Sequence, residues 1–207
     1  MTSAMAAGGI VAEAVSYRRA GRTILDGVSM SAAPGESIAL MGPSGSGKSS
    51  LLTLLTGLER PDSGRVLRER GRDGLILQSY GLASVLTATE NVEVPLQAGV
   101  LGRLRPREIR DRATAALESV GLGHVTDHLV EELSGGQRQR VAIARALAIE
   151  PTVLFADEPT AELDHEWKNR IVDLLLGVAE RGGIVVVATH DPVIAERCTT
   201  TFHIDGR

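Results

Sequence analysis

The chain has 207 residues, 43% of them hydrophobic, and a formal net charge of -4, which suits a single domain with a sizeable core and argues against a broad surface for nucleic acid. One cysteine, Cys198, excludes an internal disulfide and any multi-cysteine zinc site. No apolar run approaches the roughly 20 residues of a bilayer-spanning helix, and the N-terminus has no basic-then-apolar signal pattern, so a cytoplasmic chain is expected.

Residues 1–9 are small and Gly/Ala-rich, and are expected to be a flexible N-terminus ahead of one domain over 10–207. Strand signals dominate from Ile10 to Met41, where Tyr17 precedes a basic, Gly-containing bend. Ser37 to Met41 reads as a short buried strand, and Ser50 to Leu58 as a helix turning Leu51, Leu52, Leu54, Leu55 and Leu58 toward a core. Between them stands Gly42-Pro43-Ser44-Gly45-Ser46-Gly47-Lys48-Ser49, which fits G-x-x-x-x-G-K-[ST] in the strand–turn–helix setting that the motif requires. Its glycines let backbone N–H groups curl around phosphate oxygens, and the helix N-terminus adds partial positive charge. Lys48 can reach the outer phosphates, and the Ser49 hydroxyl can ligate magnesium. An idle Gly/Ser loop would not need this strand and helix on either side.

After Gln78 the pattern turns helical. Arg107 to Ser119 sets Ala113, Ala116 and Leu117, with Val120, on one side, which predicts a helical lobe inserted over about 79–146. The basic stretch Arg103 to Arg112 is interleaved with Glu108 and Asp111 and reads as a solvated helix face. At the end of the lobe, Leu133-Ser134-Gly135-Gly136-Gln137-Arg138-Gln139-Arg140 leads into a helix over Val141 to Ile149. Ser134, two glycines and exposed N–H groups at a helix start make a second anion-binding end, although Ser134 also suits a plain N-cap.

Pro151 breaks the chain. Thr152 to Ala156 is then an apolar strand ending in Asp157-Glu158, two carboxylates at a strand's carboxyl end, where magnesium and an attacking water would be handled. Glu166 to Glu180 reads as a crossover helix bearing Ile171, Leu174, Leu175 and Val178. Ile184 to Ala188 is another apolar strand, ending in Thr189-His190-Asp191. This alternation predicts an α/β fold whose mostly parallel sheet carries its working residues at the carboxyl edge. His124 and His128 are four apart, but glycines flank them and no third metal ligand is evident. Trp167 reads as a packing residue and Cys198 as a small core filler.

In combination and in order, these motifs resemble the nucleotide-binding subunit of an ATP-binding cassette (ABC) transporter over Ile10 to Arg207. Gly42 to Ser49 resembles the Walker A loop, Gln78 the Q-loop and Leu133 to Gln137 the signature. Val153 to Glu158 resembles the Walker B strand, Ala161 to Asp164 the D-loop and His190 the switch histidine, while Tyr17 is placed like the adenine-stacking aromatic. The resemblance implies a P-loop NTPase core with a mostly parallel sheet, N-terminal antiparallel β strands and an inserted helical subdomain.

It also implies ATP and Mg2+. Tyr17, Gly42 to Ser49 and Ser50 would hold the nucleotide from one chain, and Ser134, Gly135, Gly136 and Gln137 would close over it from a second chain in a head-to-tail homodimer. Ser49, Gln78 and Asp157 would organise the metal. Lys48, Gln78, Glu158 and His190 would be catalytic, with Glu158 polarising water and His190 contacting the terminal phosphate. A separate membrane permease would dock near 79–95, where Tyr80, Leu82 and Leu86 would be partly exposed, and would hold the protein on the inner face of the membrane. Thr87 to Leu96 and Ala156 to Thr160 further resemble the lipoprotein-release and macrolide-export type ATPases, which work by mechanotransmission.

Three departures stand out. The segment 64–78 is about ten residues shorter than the usual pattern, so the peripheral sheet is expected to be trimmed. Leu77 stands where an aromatic is common, and Ala161 begins the D-loop. The alternatives are a soluble, non-transport ABC ATPase and a low-turnover ATP-gated regulatory module. The first predicts long heptads, a second nucleotide domain or zinc-binding cysteines, which this sequence lacks; the second sits poorly with an intact Glu158 and His190.

Overall fold

Two sheets share the chain in the computed structural model, which describes residues 8–69, 71–99 and 101–205. Most of the expected flexible N-terminus, residues 1–7, lies outside the described residues. Strands β1 (Ile10–Arg19) and β2 (Arg22–Ala32) form a hairpin turned by Ala20 and Gly21, both at positive φ; such a pair of residues matches the right-handed twist of the strands. Strand β4 (Ser63–Arg68) pairs with β1 antiparallel on its other edge, which gives a three-stranded sheet of order β2-β1-β4.

The second sheet has five parallel strands. These are β3 (Ser37–Met41), β5 (Asp73–Ile76), β6 (Val153–Asp157), β7 (Ile184–Ala188) and β8 (Thr200–His203), in the order β5-β6-β7-β3-β8. β6 and β7 are buried along their whole length, as parallel strands covered on both faces must be. Alternation along them divides the core. Val153, Phe155, Ile184 and Val186 face α1 (Lys48–Thr56) and the antiparallel sheet, whereas Leu154, Ala156, Val185 and Val187 face the remaining long helices.

Among the described residues between β5 and β6 lie three α-helices, α2 (Ala88–Gln97), α3 (Pro106–Ser119) and α4 (Gly135–Ala148), which pack through Val92, Leu96, Leu117 and Val141. Each begins on a local signal. Thr87 and Glu90 form a capping box on α2, Pro106 opens α3, and Ser134 and Gln137 form a capping box on α4. The crossover helix α5 (His165–Glu180) is capped by Asp164, and the short α6 (Pro192–Arg197) by Asp191. Among the described residues, no helix is long and apolar enough to cross a membrane.

Several expectations are corrected. Leu58 is 66% exposed rather than in the core, because α1 ends at Thr56 and Gly57 adopts a left-handed conformation that turns the chain away. The same helix starts at Lys48, inside the loop motif, and α4 starts at Gly135 instead of Val141. In both cases the glycine-rich motif supplies the first turn of the helix itself. Within the short 64–78 segment, β4 ends at Arg68 and β5 begins at Asp73.

Candidate functional site at the carboxyl edge of the parallel sheet

β3 delivers the chain to the phosphate-loop motif and α1 carries it away. At Gly42 a Cβ would stand 2.6 Å from the Ser46 hydroxyl, and at Gly47, where φ is 102°, it would stand 2.8 Å from a Leu25 methyl. Both positions therefore need glycine for the loop to close. Lys48 is only 8% exposed, and its ammonium donates to the carbonyls of Gly42 at 2.8 Å and Pro43 at 3.0 Å. The Ser46 hydroxyl is buried without a partner, and α1 has no side-chain cap on its first turn. Unspent donors at a helix start, around a buried ammonium, fit a polyphosphate.

Asp157, buried at the end of β6, faces this loop. Burial pushes its carboxyl above the ordinary value, a hydrogen bond from the Ser49 hydroxyl opposes that shift, and the charge of Glu158 adds to it. A hydroxyl and a carboxylate oxygen together form the hard donor set that magnesium takes, so Ser49 and Asp157 fit that ion. Gln78 is exposed in the turn after β5, and its side chain has no hydrogen bond to the others among the described residues. His124 and His128 are exposed, and no cluster of three metal-binding side chains occurs among the described residues.

Glu158 is held from four sides. Its N–H donates to Ala188 O at 2.9 Å, and its carbonyl accepts from Gln139 Nε2 at 2.9 Å. One carboxylate oxygen lies 2.9 Å from His190 Nδ1, and the other accepts from the Thr189 hydroxyl at 3.5 Å. Its φ of 47° is in the left-handed region, which a non-glycine residue keeps only where its surroundings over-determine it. His190 is braced in turn. The next residue, Asp191, caps α6 at Val193 N, 2.8 Å, and pairs with Lys168 of α5.

Ser134 sits exposed at the start of α4, its hydroxyl accepting from Gln137 N–H at 3.3 Å. Gly135 and Gly136 abut Glu162 of the D-loop; a Cβ on Gly136 would stand 2.9 Å from Glu162 O, and one on Gly135 would collide with its carboxylate. Tyr17, partly buried in β1, donates its phenol to Glu59, and that hydrogen bond raises the phenol pKa. The structure thus gathers Lys48, Ser49, Asp157, Glu158 and His190 at one sheet edge. The Ser134 motif lies on the lobe, against the D-loop.

Sequence reasoning missed several residues that shape this region. Gln139 is only 3% exposed and ties Glu158 to Glu162 N–H, 3.1 Å; an amide one helical turn before buried Ile143 was a visible signal. Arg145 holds the carbonyls of Tyr80, at 2.8 Å, and Gly81 behind the Q-loop. Trp167 is a packing residue, as expected. Its ring lies against Gly121 and beneath the guanidinium groups of Arg140 and Arg170, 4.3 and 4.5 Å from the ring centroid.

A lysine-closed phosphate loop beside paired carboxylates on a parallel sheet, with a serine-capped lobe helix bonded to the backbone of the second carboxylate, defines a P-loop ATPase of the cassette type. The ABC transporter family profile matches residues 25–161, and the chain belongs to that family. It is similar to the "Lipoprotein-releasing system ATP-binding protein LolD" of Pseudomonas syringae pv. tomato, with 42% identity over 88% of this chain and 87% of the relative. It is also similar to the "Uncharacterized ABC transporter ATP-binding protein YbbA" of Escherichia coli K12, with 44% identity over 85% and 83%.

Among solved structures, the chain resembles the "Dimeric Structure of MJ0796, a Bacterial ABC Transporter Cassette", with a TM-score of 0.88 and 35% identity over 95% of this chain and 94% of that one. A post-hydrolysis state of the same cassette, bound to ADP and Pi, matches with a TM-score of 0.88 and 34% identity over 94% of each chain. The chain is accordingly an ABC ATPase, the ATP-binding and ATP-hydrolysing cassette of an ABC transporter.

Proposed function

We propose that two copies of this chain close head to tail around ATP and that their closing and reopening drive a separate membrane subunit at the cytoplasmic face of the membrane. The observation that carries this reading is the placement of the two anion sites. Lys48 and Glu158 stand at the carboxyl edge of the sheet, while Ser134 caps an exposed helix end on the lobe whose glycines abut the D-loop. A second chain turned head to tail would bring its Ser134 and Gly136 to the outer phosphates. The dimeric cassettes among the structural neighbours support that assembly.

On binding, Lys48 would exchange the carbonyls of Gly42 and Pro43 for phosphate oxygens, and Ser46 would gain a partner. Tyr17 would offer its ring to the base. Ser49 and Asp157, with Gln78, would hold magnesium, whose charge neutralises phosphate oxygens when it is bound. Glu158 then takes a proton from water as the water oxygen bonds to the terminal phosphorus, and the bond from phosphorus to the departing ADP oxygen breaks. His190 orients the Glu158 carboxylate and reaches the same phosphate. Loss of the bridging phosphate removes what holds the two chains together.

Relatives named for a lipoprotein-releasing system support the lipoprotein-release type of assembly for this chain, for which mechanotransmission is the role that the resemblance implies, and the exposed Val85 and Val94 support docking of a partner near 79–95. The reading is tested by ATP turnover of the purified chain across a dilution series with magnesium present. The rate per chain should rise with concentration and vanish with a chelator; a rate per chain that stays constant on dilution would overturn the two-chain site.

A further inference from the structure

Glu158 keeps a left-handed backbone, φ 47°, at the point where β6 gives way to the D-loop. Its carbonyl accepts from Gln139 Nε2 at 2.9 Å and, more weakly, from Ala161 N–H at 3.3 Å. The other end of the same amide accepts from Glu162 N–H at 3.1 Å. Gln139 is therefore a buried amide that spends both ends on the backbone of one tight bend, with Glu158 at its start and Glu162 beyond it. No other side chain among the described residues bonds to the Glu158 main chain.

We propose that Gln139 is a positioning residue for hydrolysis: its amide holds the Glu158 peptide in the strained conformation that directs the carboxylate to His190. The inference rests on reading Glu158 as the group that activates water. A non-glycine residue at positive φ relaxes when its restraints are removed, and relaxation here would turn the carboxylate away from the sheet edge. Lys48 and the phosphate loop share no bond with Gln139, so nucleotide binding should not feel the change. Gln139 also lies five residues after Ser134 on the same helix, about 7.5 Å along its axis. The tether thus joins the exposed anion end of α4 to the water-activating carboxylate of its own chain.

Gln139→Met keeps the length and helix propensity of the side chain and removes both bonds. We expect its kcat to fall about tenfold, the effect of losing the one buried hydrogen bond that reaches Glu158, with KM for ATP changed by less than about twofold. Gln139→Glu keeps the acceptor for Glu162 N–H but replaces the donor to Glu158 O with a carboxylate oxygen that repels that carbonyl, so its kcat should fall by at least as much; this variant reads the tether even if the Met variant folds poorly. Because the effect runs through Glu158, adding Gln139→Met to Glu158→Gln should cause no further loss in single-turnover rate, whereas a merely structural role would multiply the losses. A wild-type kcat in either Gln139 variant, a KM that rises in step with the loss of kcat, or multiplicative losses in the double variant would overturn the tether. A wild-type rate for Glu158→Gln alone would overturn the tether and the reading of Glu158 together. A slow Glu158→Gln beside a fast Gln139→Met would overturn the tether only.

Discussion

His190 Nδ1 lies 2.9 Å from Glu158 Oε1, joining the loop after β7 to the end of β6 across the carboxyl edge of the sheet. The contact occupies one carboxylate oxygen and leaves the second with only a 3.5 Å hydrogen bond from Thr189, so that oxygen is the one placed to accept a proton. Glu158→Gln should bind ATP as the native chain does and turn over about a hundredfold more slowly, in line with loss of a general base. Lys48→Ala should instead weaken nucleotide binding, since it removes the charge that the loop is folded around. Steady-state turnover and equilibrium nucleotide binding, measured on both variants, separate the two roles.

Gly47 is at φ 102°, and a Cβ there would press on Leu25 and on the Ile24 carbonyl. Gly47→Ala should lower stability by about 1–3 kcal/mol and impair ATP binding, because the strain falls at the residue that starts α1. Chemical denaturation and nucleotide titration read the two effects; native stability with native affinity would show that the loop tolerates a side chain there.

Asp191 caps α6 and pairs with Lys168, so Asp191→Ala should cost about 1 kcal/mol through the lost cap, and should slow turnover by loosening His190. The Lys168 ammonium, helped by Val193 N–H, holds the Asp191 carboxyl below its ordinary value. A depressed carboxyl pKa contributes stability in full above the unfolded-state value and loses it as pH falls through the lower folded value. The stability difference between the native chain and the Asp191→Ala variant should accordingly shrink on acidification and stay level from weakly acidic to neutral pH. Denaturation midpoints over that range check the sign.

Tyr80, Leu82 and Leu86 are each partly exposed, as expected, yet two of them make contacts within the fold. Leu82 packs against the core, and Tyr80 hydrogen-bonds Glu162 beneath Arg138, so charge at either position would disturb the fold or the D-loop. Val85, 76% exposed, and Val94, 51% exposed, are the exposed large apolar side chains among the described residues of this stretch. Val85→Glu and Val94→Glu should keep the native melting temperature and basal turnover while losing stimulation by, and co-purification with, a membrane partner. Leu82→Glu should lower the melting temperature. Stimulation that survives both valine changes would move the docking surface elsewhere.

What was legible in the sequence follows from how local the cause is. β3 and β7 have the limits read from their apolar runs, because parallel strands covered on both faces need uninterrupted hydrophobic residues. The phosphate loop, Asp157, Glu158 and His190 are legible because each lies at the carboxyl end of such a strand or within two residues of it. Leu58 departs from its expected place because helical periodicity continues past Gly57, and only the left-handed turn at that glycine ends the helix. The roles of Gln139, Arg145 and Lys168 are not legible in the sequence, for a different reason. Their partners are backbone groups or side chains distant in the chain, and residue type alone does not say that Gln139 reaches the Glu158 carbonyl.

The central claim, that one chain's signature completes the other chain's ATP site, is tested most directly by the mass of Glu158→Gln in solution. With ATP and magnesium this variant should sediment as a dimer, since it binds nucleotide and clears it only slowly. Without nucleotide, or with Ser134→Arg added, it should sediment as a monomer, because arginine puts bulk and charge where the partner's phosphates would sit. A dimer that forms without ATP, or that survives Ser134→Arg, would contradict the account.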